Sequence, residues 1–258
     1  MKQKRPFPKI LISPKAERSV KNGHPWIYGE EIRGIEGAPG DGDLVDVIAG
    51  SSWMGTGFYN SVSKITVRLV SRNANDRFDD RFWRRRVEYA VRYRRTVMPG
   101  ADFLCCRLIH GEADQLPGLT VDRYGGILSV QIACLGMELV KETGYRALWD
   151  VLTESGETVT GIYERNDIAL RAREGLPEYK GWHRGDGMPV PESAVTEICE
   201  NGVKYLVDVE NGQKTGFFLD QKYNRAAAAR IARGKRVLDC FTHTGSFGLN
   251  AAFGGAEH

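Results

Sequence analysis

Long apolar runs are missing from this chain. No stretch of its 258 residues approaches the roughly 20 needed to cross a bilayer, so no membrane contact is expected. The opening Met-Lys-Gln-Lys-Arg-Pro-Phe-Pro-Lys also lacks the apolar core of a secretory leader. Cysteine is sparse: the 5 thiols are odd in number and include no Cys-x-x-Cys pair. That argues against a disulfide framework and a structural zinc, and no metal site is expected. These absences read as a reducing compartment and a cytoplasmic location. An excess of one charge is missing too, since Lys plus Arg total 36 against 33 for Asp plus Glu, a net +3. Total charge therefore does not announce a polyanionic partner, and the distribution has to be read instead. There is no internal repeat and no low-complexity run.

What is present divides into three segments. Residues 1–72 read as a small β-rich domain with candidate strands Leu44-Val45-Asp46-Val47, Gly55-Thr56-Gly57-Phe58-Tyr59 and Ile65-Thr66-Val67-Arg68-Leu69. In the last, Ile65, Val67 and Leu69 share one face and Thr66 and Arg68 the other, the alternation of a half-buried strand.

Residues 76–192 open on a helix. Asp76 is the expected N-cap, with Asp79 three residues on, and Phe78, Phe82, Trp83, Val87, Ala90 and Val91 recur at helical spacing. The other faces carry Arg81, Arg84, Arg85, Arg86, Arg92, Arg94 and Arg95 against a single glutamate. This is the densest basic feature of the chain and suits phosphate through bidentate guanidinium geometry, an ordinary solvated face being the alternative. Strands are expected over 103–109, 119–122 and 127–133, a helix over 137–152, and strands over 161–165 and 168–171. The domain is taken as α+β in the order strand-strand-helix-strand-strand. Glu112, Asp114, Asp122 and Arg123 surround Pro117-Gly118 and read as turn chemistry rather than an acid–base pair. Glu164 and Arg165 stay open between local pairing and phosphate contact.

Residues 195–258 follow a polar stretch rich in glycine and proline. Asn201-Gly202 between Val195-Thr196-Glu197-Ile198 and Val203-Lys204-Tyr205-Leu206-Val207 signals a type I′ hairpin. Ala226 to Ala229 with Ile231 predict a helix that Gly234 stops. Arg236-Val237-Leu238-Asp239-Cys240-Phe241 reads as a buried parallel strand, after which 242–248 turn the chain into a helix over 249–253. Such a unit aims backbone N–H groups and a positive helix end at a ligand. A dinucleotide site would want Gly-x-Gly-x-x-Gly, and only Gly245 and Gly248 are present; the Gly-Lys-Ser/Thr of a phosphate loop is missing as well. NAD and ATP or GTP are disfavoured.

The run Val-Leu-Asp-Cys-Phe-Thr-His-Thr-Gly-Ser-Phe at 237–247 resembles the first motif of class I S-adenosylmethionine (SAM) methyltransferases. Preceded by Gly-Gln-Lys-Thr-Gly-Phe-Phe-Leu-Asp-Gln-Lys-Tyr-Asn-Arg at 212–225, it is similar to the RlmI-type large-subunit ribosomal RNA cytosine-5 methyltransferases. Residues 111–124 and 163–167 resemble the central domain of that family. Residues 22–28 with 40–43 resemble its opening PUA domain, a small RNA-binding barrel. The fold class this implies is multidomain: a PUA-like β-barrel, an α+β central domain, and the start of an α/β Rossmann-like methyltransferase domain, incomplete.

The resemblance implies SAM as cofactor and ribosomal RNA as partner. By likeness, Lys214, Thr215, Gly216, Phe217, Phe218, Asp220, Gln221 and Arg225 line the cofactor with Asp239, Phe241, Thr242, Gly245, Ser246 and Phe247, aromatic faces being suited to a sulfonium. Plain packing is the alternative for Phe217 and Phe218, a solvated helix face for Gln221 and Arg225, and a helix-end carboxylate for Asp239. RNA contacts are expected from His24, Trp26, Lys64 and Arg68, and from Arg84, Arg85 and Arg86 on the basic helix. A turn or core anchor is the alternative for Trp26, and solvated charge for Lys64 and Arg68. Cytosine C5 is a poor nucleophile, so the class is expected to add a cysteine thiolate to C6 first. That cysteine is expected beyond His258, so catalytic residues stay unassigned, and residues 1–258 alone are expected to bind SAM weakly and to transfer no methyl group. Cys240 reads as a buried thiol at a strand end. The rival reading is a noncatalytic RNA-binding module. Oligomeric state stays open, a homodimer being one option.

Overall fold

The computed structural model describes residues 5–185 and 187–258, so residues 1–4 of the leader reading lie outside the described residues. The first segment builds a six-stranded sheet from β1 (Lys9–Ile12), β2 (Trp26–Ile27), β3 (Ile32–Glu36), β4 (Leu44–Ala49), β5 (Ser52–Tyr59) and β6 (Val67–Ser71), in the order β2-β6-β5-β4-β1-β3. Helix α1 (Pro14–Lys21) starts on Ser13, whose hydroxyl accepts from the Ala16 N–H, and buries Ala16 and Val20 against Ile10, Val45, Val47 and Val67. Bulges in the β4–β5 and β5–β6 pairings bend the sheet. At the second bulge Gly57 is required, because a Cβ there would sit 2.4 Å from the Arg68 carbonyl oxygen. The edge strands β2 and β3 do not pair with one another, so the expected barrel is an open, curled half-barrel. The half-buried strand expected at 65–69 is corrected as well. All of β6 is buried, because the face carrying Arg68 and Val70 packs on the second segment.

Helix α2 (Asp80–Val97) begins one turn later than expected. Asp79 is its N-cap, accepting from the Phe82 N–H at 3.0 Å, while Asp76 turns back to Ser71 and Arg85. The strands are β7 (Cys105–His110), β8 (Leu119–Tyr124), β9 (Ile127–Ile132), β10 (Gly161–Asn166) and β11 (Tyr179–Trp182), ordered β11-β10-β9-β8-β7 with only β9 and β10 parallel. Three strands, not two, precede the helical crossover, which is split into α3 (Leu135–Leu139) and α4 (Lys141–Glu154). The strand expected at 168–171 is a turn leading into a 3-10 helix, Arg171–Glu174, because Arg171 and Glu174 are both buried in ion pairs that need the chain to curl.

Side-chain alternation makes this sheet two-sided. Leu119, Val121, Leu128, Val130 and Ile162 face α2 and α4. Cys105, Tyr124, Ile127 and Tyr163 face the other way and are covered by Ile198, Tyr205, Val207 and Phe217. These come from the hairpin β12 (Val195–Glu200) and β13 (Val203–Asp208), whose turn residues Asn201 and Gly202 have φ of 53° and 83° as a type I′ turn demands. The third segment therefore completes the core of the second rather than standing apart from it.

Helices α5 (Lys222–Ala232) and α6 (Ser246–Phe253) pack together, and Gly234 at φ 64° ends α5 as expected. Residues 236–241 form no strand: the Val237 N–H donates to the His258 carbonyl, the Lys235 carbonyl accepts from the Glu257 N–H, and Leu238 is 87% exposed. A ladder needs a neighbour along its length, and no named strand lies beside this segment among the described residues. Among those residues no helix is long and apolar enough to cross a membrane.

Candidate cofactor loop and RNA-facing surface

The strap leading into α5 is anchored from below. Gln213 and Gly216 close a tight turn with Lys214 exposed at its tip at φ 59°. A Cβ on Gly216 would meet Val207 at 2.9 Å, so the strap lies directly on the hairpin. Thr215 donates to Asp122 at 2.5 Å, and the Tyr124 hydroxyl both donates to the Phe217 carbonyl at 2.9 Å and accepts from its N–H at 3.0 Å. Burial pushes the Tyr124 phenol well above its ordinary range, so it stays a neutral donor. Arg225 lies under the Phe217 ring, makes a two-pronged pair with Glu200 at 2.6 and 2.9 Å, and donates to the Phe218 carbonyl. Thr215, Phe217 and Arg225 are therefore buried, and their side chains brace the strap from within. Phe218 is half-buried, Asp220 is exposed, and Gln221 bonds Asp220 and Asn224.

The second element is the loop into α6. Asp239 accepts from the Gly248 N–H at 3.0 Å, the helix-end carboxylate role, and so ties the loop to the first turn of α6. Phe241, His243 and Gly245 all have positive φ, at 62°, 51° and 70°. Two non-glycine residues held left-handed this close together are a costly conformation, of the kind concentrated at functional loops. Phe241 is fully exposed and Thr242 is exposed, while Ser246 is buried with its carbonyl accepting from Asn250. Phe247 lies half-buried beside Arg225. The two elements meet where the Phe218 ring contacts His243 edge-on at 5.4 Å. That contact sets the strap carrying Phe218 beside the loop carrying Phe241, Thr242 and Gly245.

Most of the expected RNA contacts are taken up internally. Arg68 is buried and bonds Glu174 at 2.9 Å and Glu112 at 3.1 Å. Trp26 donates to Glu112 at 2.7 Å, the anchor alternative. Arg84 pairs with Glu88 and Glu154, Arg85 with Asp76, and Arg86 is buried on Gln115 and the Val70 carbonyl. Arg68 and Arg86 are thereby removed as phosphate ligands, and Arg84 and Arg85 are already paired. The count of acids within the helix missed carboxylates supplied by other elements. His24 and Lys64 remain open to solvent, His24 partly so, with its ring against Trp26 and Tyr28.

Residues 10–72 match a model for a PUA-like domain, and residues 107–258 match a model for S-adenosylmethionine-dependent methyltransferases. The chain belongs to the S-adenosylmethionine-dependent methyltransferase family. It is 39% identical over 249 residues to ribosomal RNA large subunit methyltransferase I of Shewanella amazonensis and 40% identical to that of Aeromonas salmonicida. Both alignments cover 96% of this chain, which spans 61% of the relatives' length. Among solved structures it is similar to a Streptococcus mutans protein assigned as a SAM-dependent methyltransferase, with a TM-score of 0.74 at 23% identity over 96% of this chain and 61% of that one. A second, assigned as a methyltransferase and complexed with SAH, gives a TM-score of 0.76 at 23% identity, covering 96% and 60%.

Tyr124, Glu200 and His243 join the site without having been singled out in the sequence. His243 completes the contact between strap and loop, and Tyr124 and Glu200, with Asp122, brace the strap from strands far upstream. Asp122 was legible only as turn chemistry before the sheet's second face was known, and a polar residue on an otherwise apolar strand was the one signal that Tyr124 and Glu200 gave. The thiols also divide. Burial pushes Cys105 up to about 12 and Cys106 and Cys134 up to about 11, whereas Cys199 and Cys240 are exposed. Cys240 is thus not the buried strand-end thiol expected. No cluster of potential metal ligands occurs among the described residues.

Proposed function

We propose that this chain carries the RNA-docking part and the first cofactor elements of a cytoplasmic methyltransferase that transfers the methyl group of SAM to C5 of a cytosine in large-subunit ribosomal RNA. The observation that carries the reading is the meeting of the braced strap and the strained loop through Phe218 and His243. The donor set there suits SAM. Aromatic faces of Phe218 and Phe241 fit a sulfonium, and the Asp220 carboxylate and the free N–H groups at the start of α6 fit its charged and polar ends. Exposed Lys214 and Thr242 and half-buried Gln221 and Gly245 complete the set. When bound, SAM supplies an electrophilic methyl group; the chain's own part is to orient it and hold a base nearby. The relatives' names and the SAH found in a similar fold support the cofactor and the ribosomal substrate.

The deciding experiment uses a protein of the relatives' full length with methyl-tritiated SAM and undermethylated large-subunit ribosomal RNA. Label recovered as 5-methylcytosine is the expected result. Label in another base, or none despite SAM binding, contradicts it. RNA binding without any SAM affinity would favour a noncatalytic RNA-binding module.

A further inference from the structure

We infer that the outer face of α2 is a stacking platform for single-stranded RNA, built on Tyr89 and Tyr93 with Arg92 between them. The inference rests on the RNA reading above and names the part of the surface that takes the strand.

Five of the seven arginines of α2 are occupied. Arg84, Arg85 and Arg86 are accounted for above, Arg94 pairs with Asp114 at 2.7 Å, and Arg95 pairs with Glu157 at 2.8 Å. Arg81 and Arg92 have no carboxylate partner among the described residues and are exposed. Helical spacing puts Arg92 on one stripe with Tyr89, Tyr93 and Thr96. Tyr89 is 46% exposed and Tyr93 57%, so both rings present area to solvent on a helix whose opposite face is a full core. The Arg92 guanidinium lies 5.1 Å over the Tyr89 ring, and Arg94, fixed by Asp114, lies 4.9 Å over Tyr93. Each ring is thus held by a cation on one side, which limits the entropy lost when a base stacks on it. The neighbouring carboxylate, Glu88, is already bonded to Arg84.

The two rings stand one turn apart, about 6 Å along the axis, so they can receive neighbouring bases of one strand. Exposed aromatic rings interleaved with an unpaired arginine match single strands, whose bases are free to stack, better than a duplex, whose bases are hidden. The platform also points the right way. At the end of α2, Met98 accepts from the hydroxyl of Tyr223, itself 56% exposed on α5, and Asp102 pairs with Lys222 at 2.6 Å. A strand lying on α2 is therefore led to the helix that follows the cofactor strap.

The test is fluorescence anisotropy with a labelled single-stranded RNA of about ten nucleotides, a length that one such groove accommodates. Tyr89→Ala with Tyr93→Ala should weaken binding at least about tenfold with an unchanged salt slope, because stacking releases no counterions. Tyr89→Phe with Tyr93→Phe should bind as the parent does. Arg92→Ala should flatten the slope by about 0.7, one phosphate contact to a single strand. Melting temperatures within a few degrees of the parent establish that the variants fold. Unchanged affinity in the double alanine variant overturns the platform while leaving RNA binding elsewhere intact. A parent chain that binds no RNA removes both readings. A parent that dimerises in sedimentation equilibrium through these tyrosines, with RNA affinity unmoved, assigns the face to a second copy and also overturns the inference.

Discussion

Arg225 and Arg68 carry the same chemistry as the arginines that bind phosphate, yet both are buried against carboxylates from distant parts of the chain. Sequence reading identified the residue types and misjudged their direction, because the partners Glu200, Glu174 and Glu112 are brought in only by folding. The same limit applied to the thiols, where a short apolar run suggested that Cys240 was buried. The geometry now separates them chemically. Because only the thiolate reacts, and burial holds Cys105, Cys106 and Cys134 at about 12, 11 and 11, iodoacetamide at pH 8 should modify Cys199 and Cys240 alone in the native protein. All five should react in denaturant. Peptide mass spectrometry reads the outcome, and fast native labelling of any of the three buried thiols would contradict their placement.

Elements with strong local signals were legible: the Asn201-Gly202 hairpin, the stop at Gly234, and the helices around them all stand where the residues put them. Elements that need a partner were not. Residues 236–241 have strand composition but no neighbour with which to pair, and 168–171 gave way to a turn because the side chains of Arg171 and Glu174 had to reach buried partners. The hairpin turn is doubly constrained. Gly202 is left-handed, and a Cβ on it would lie 2.8 Å from the Phe253 ring of α6. Gly202→Ala should therefore cost roughly 1–2 kcal/mol from the backbone alone and more from the clash. A urea midpoint lowered accordingly, with the slope unchanged, is the expected outcome.

At the scale of the whole molecule, the PUA-like unit and the central sheet are joined by a buried polar clamp. Glu174 accepts from Asn60 at 3.3 Å, from Ser63 at 2.5 Å and from Arg68 at 2.9 Å, while Glu112 holds Arg68 and Trp26. An apolar contact reinforces it where Gly136 of α3 is pressed against Phe58, so closely that a Cβ would overlap the ring at 2.1 Å. The parent should thus melt as one unit. Glu174→Ala leaves Arg68 buried with half its partners, a loss of about 3–5 kcal/mol, and calorimetry should show the single transition broadening or splitting. An unchanged, single transition would mean that the clamp does not couple the two units.

The most direct test of the central claim, that strap and loop together form part of a SAM site, is calorimetric titration of this chain with SAH alongside Phe218→Ala. Saturable binding by the parent, weakened in the variant without a matching loss of melting temperature, is the expected result. No binding by the parent, or equal binding by both, would contradict the assignment of Phe218 and its loop to the cofactor.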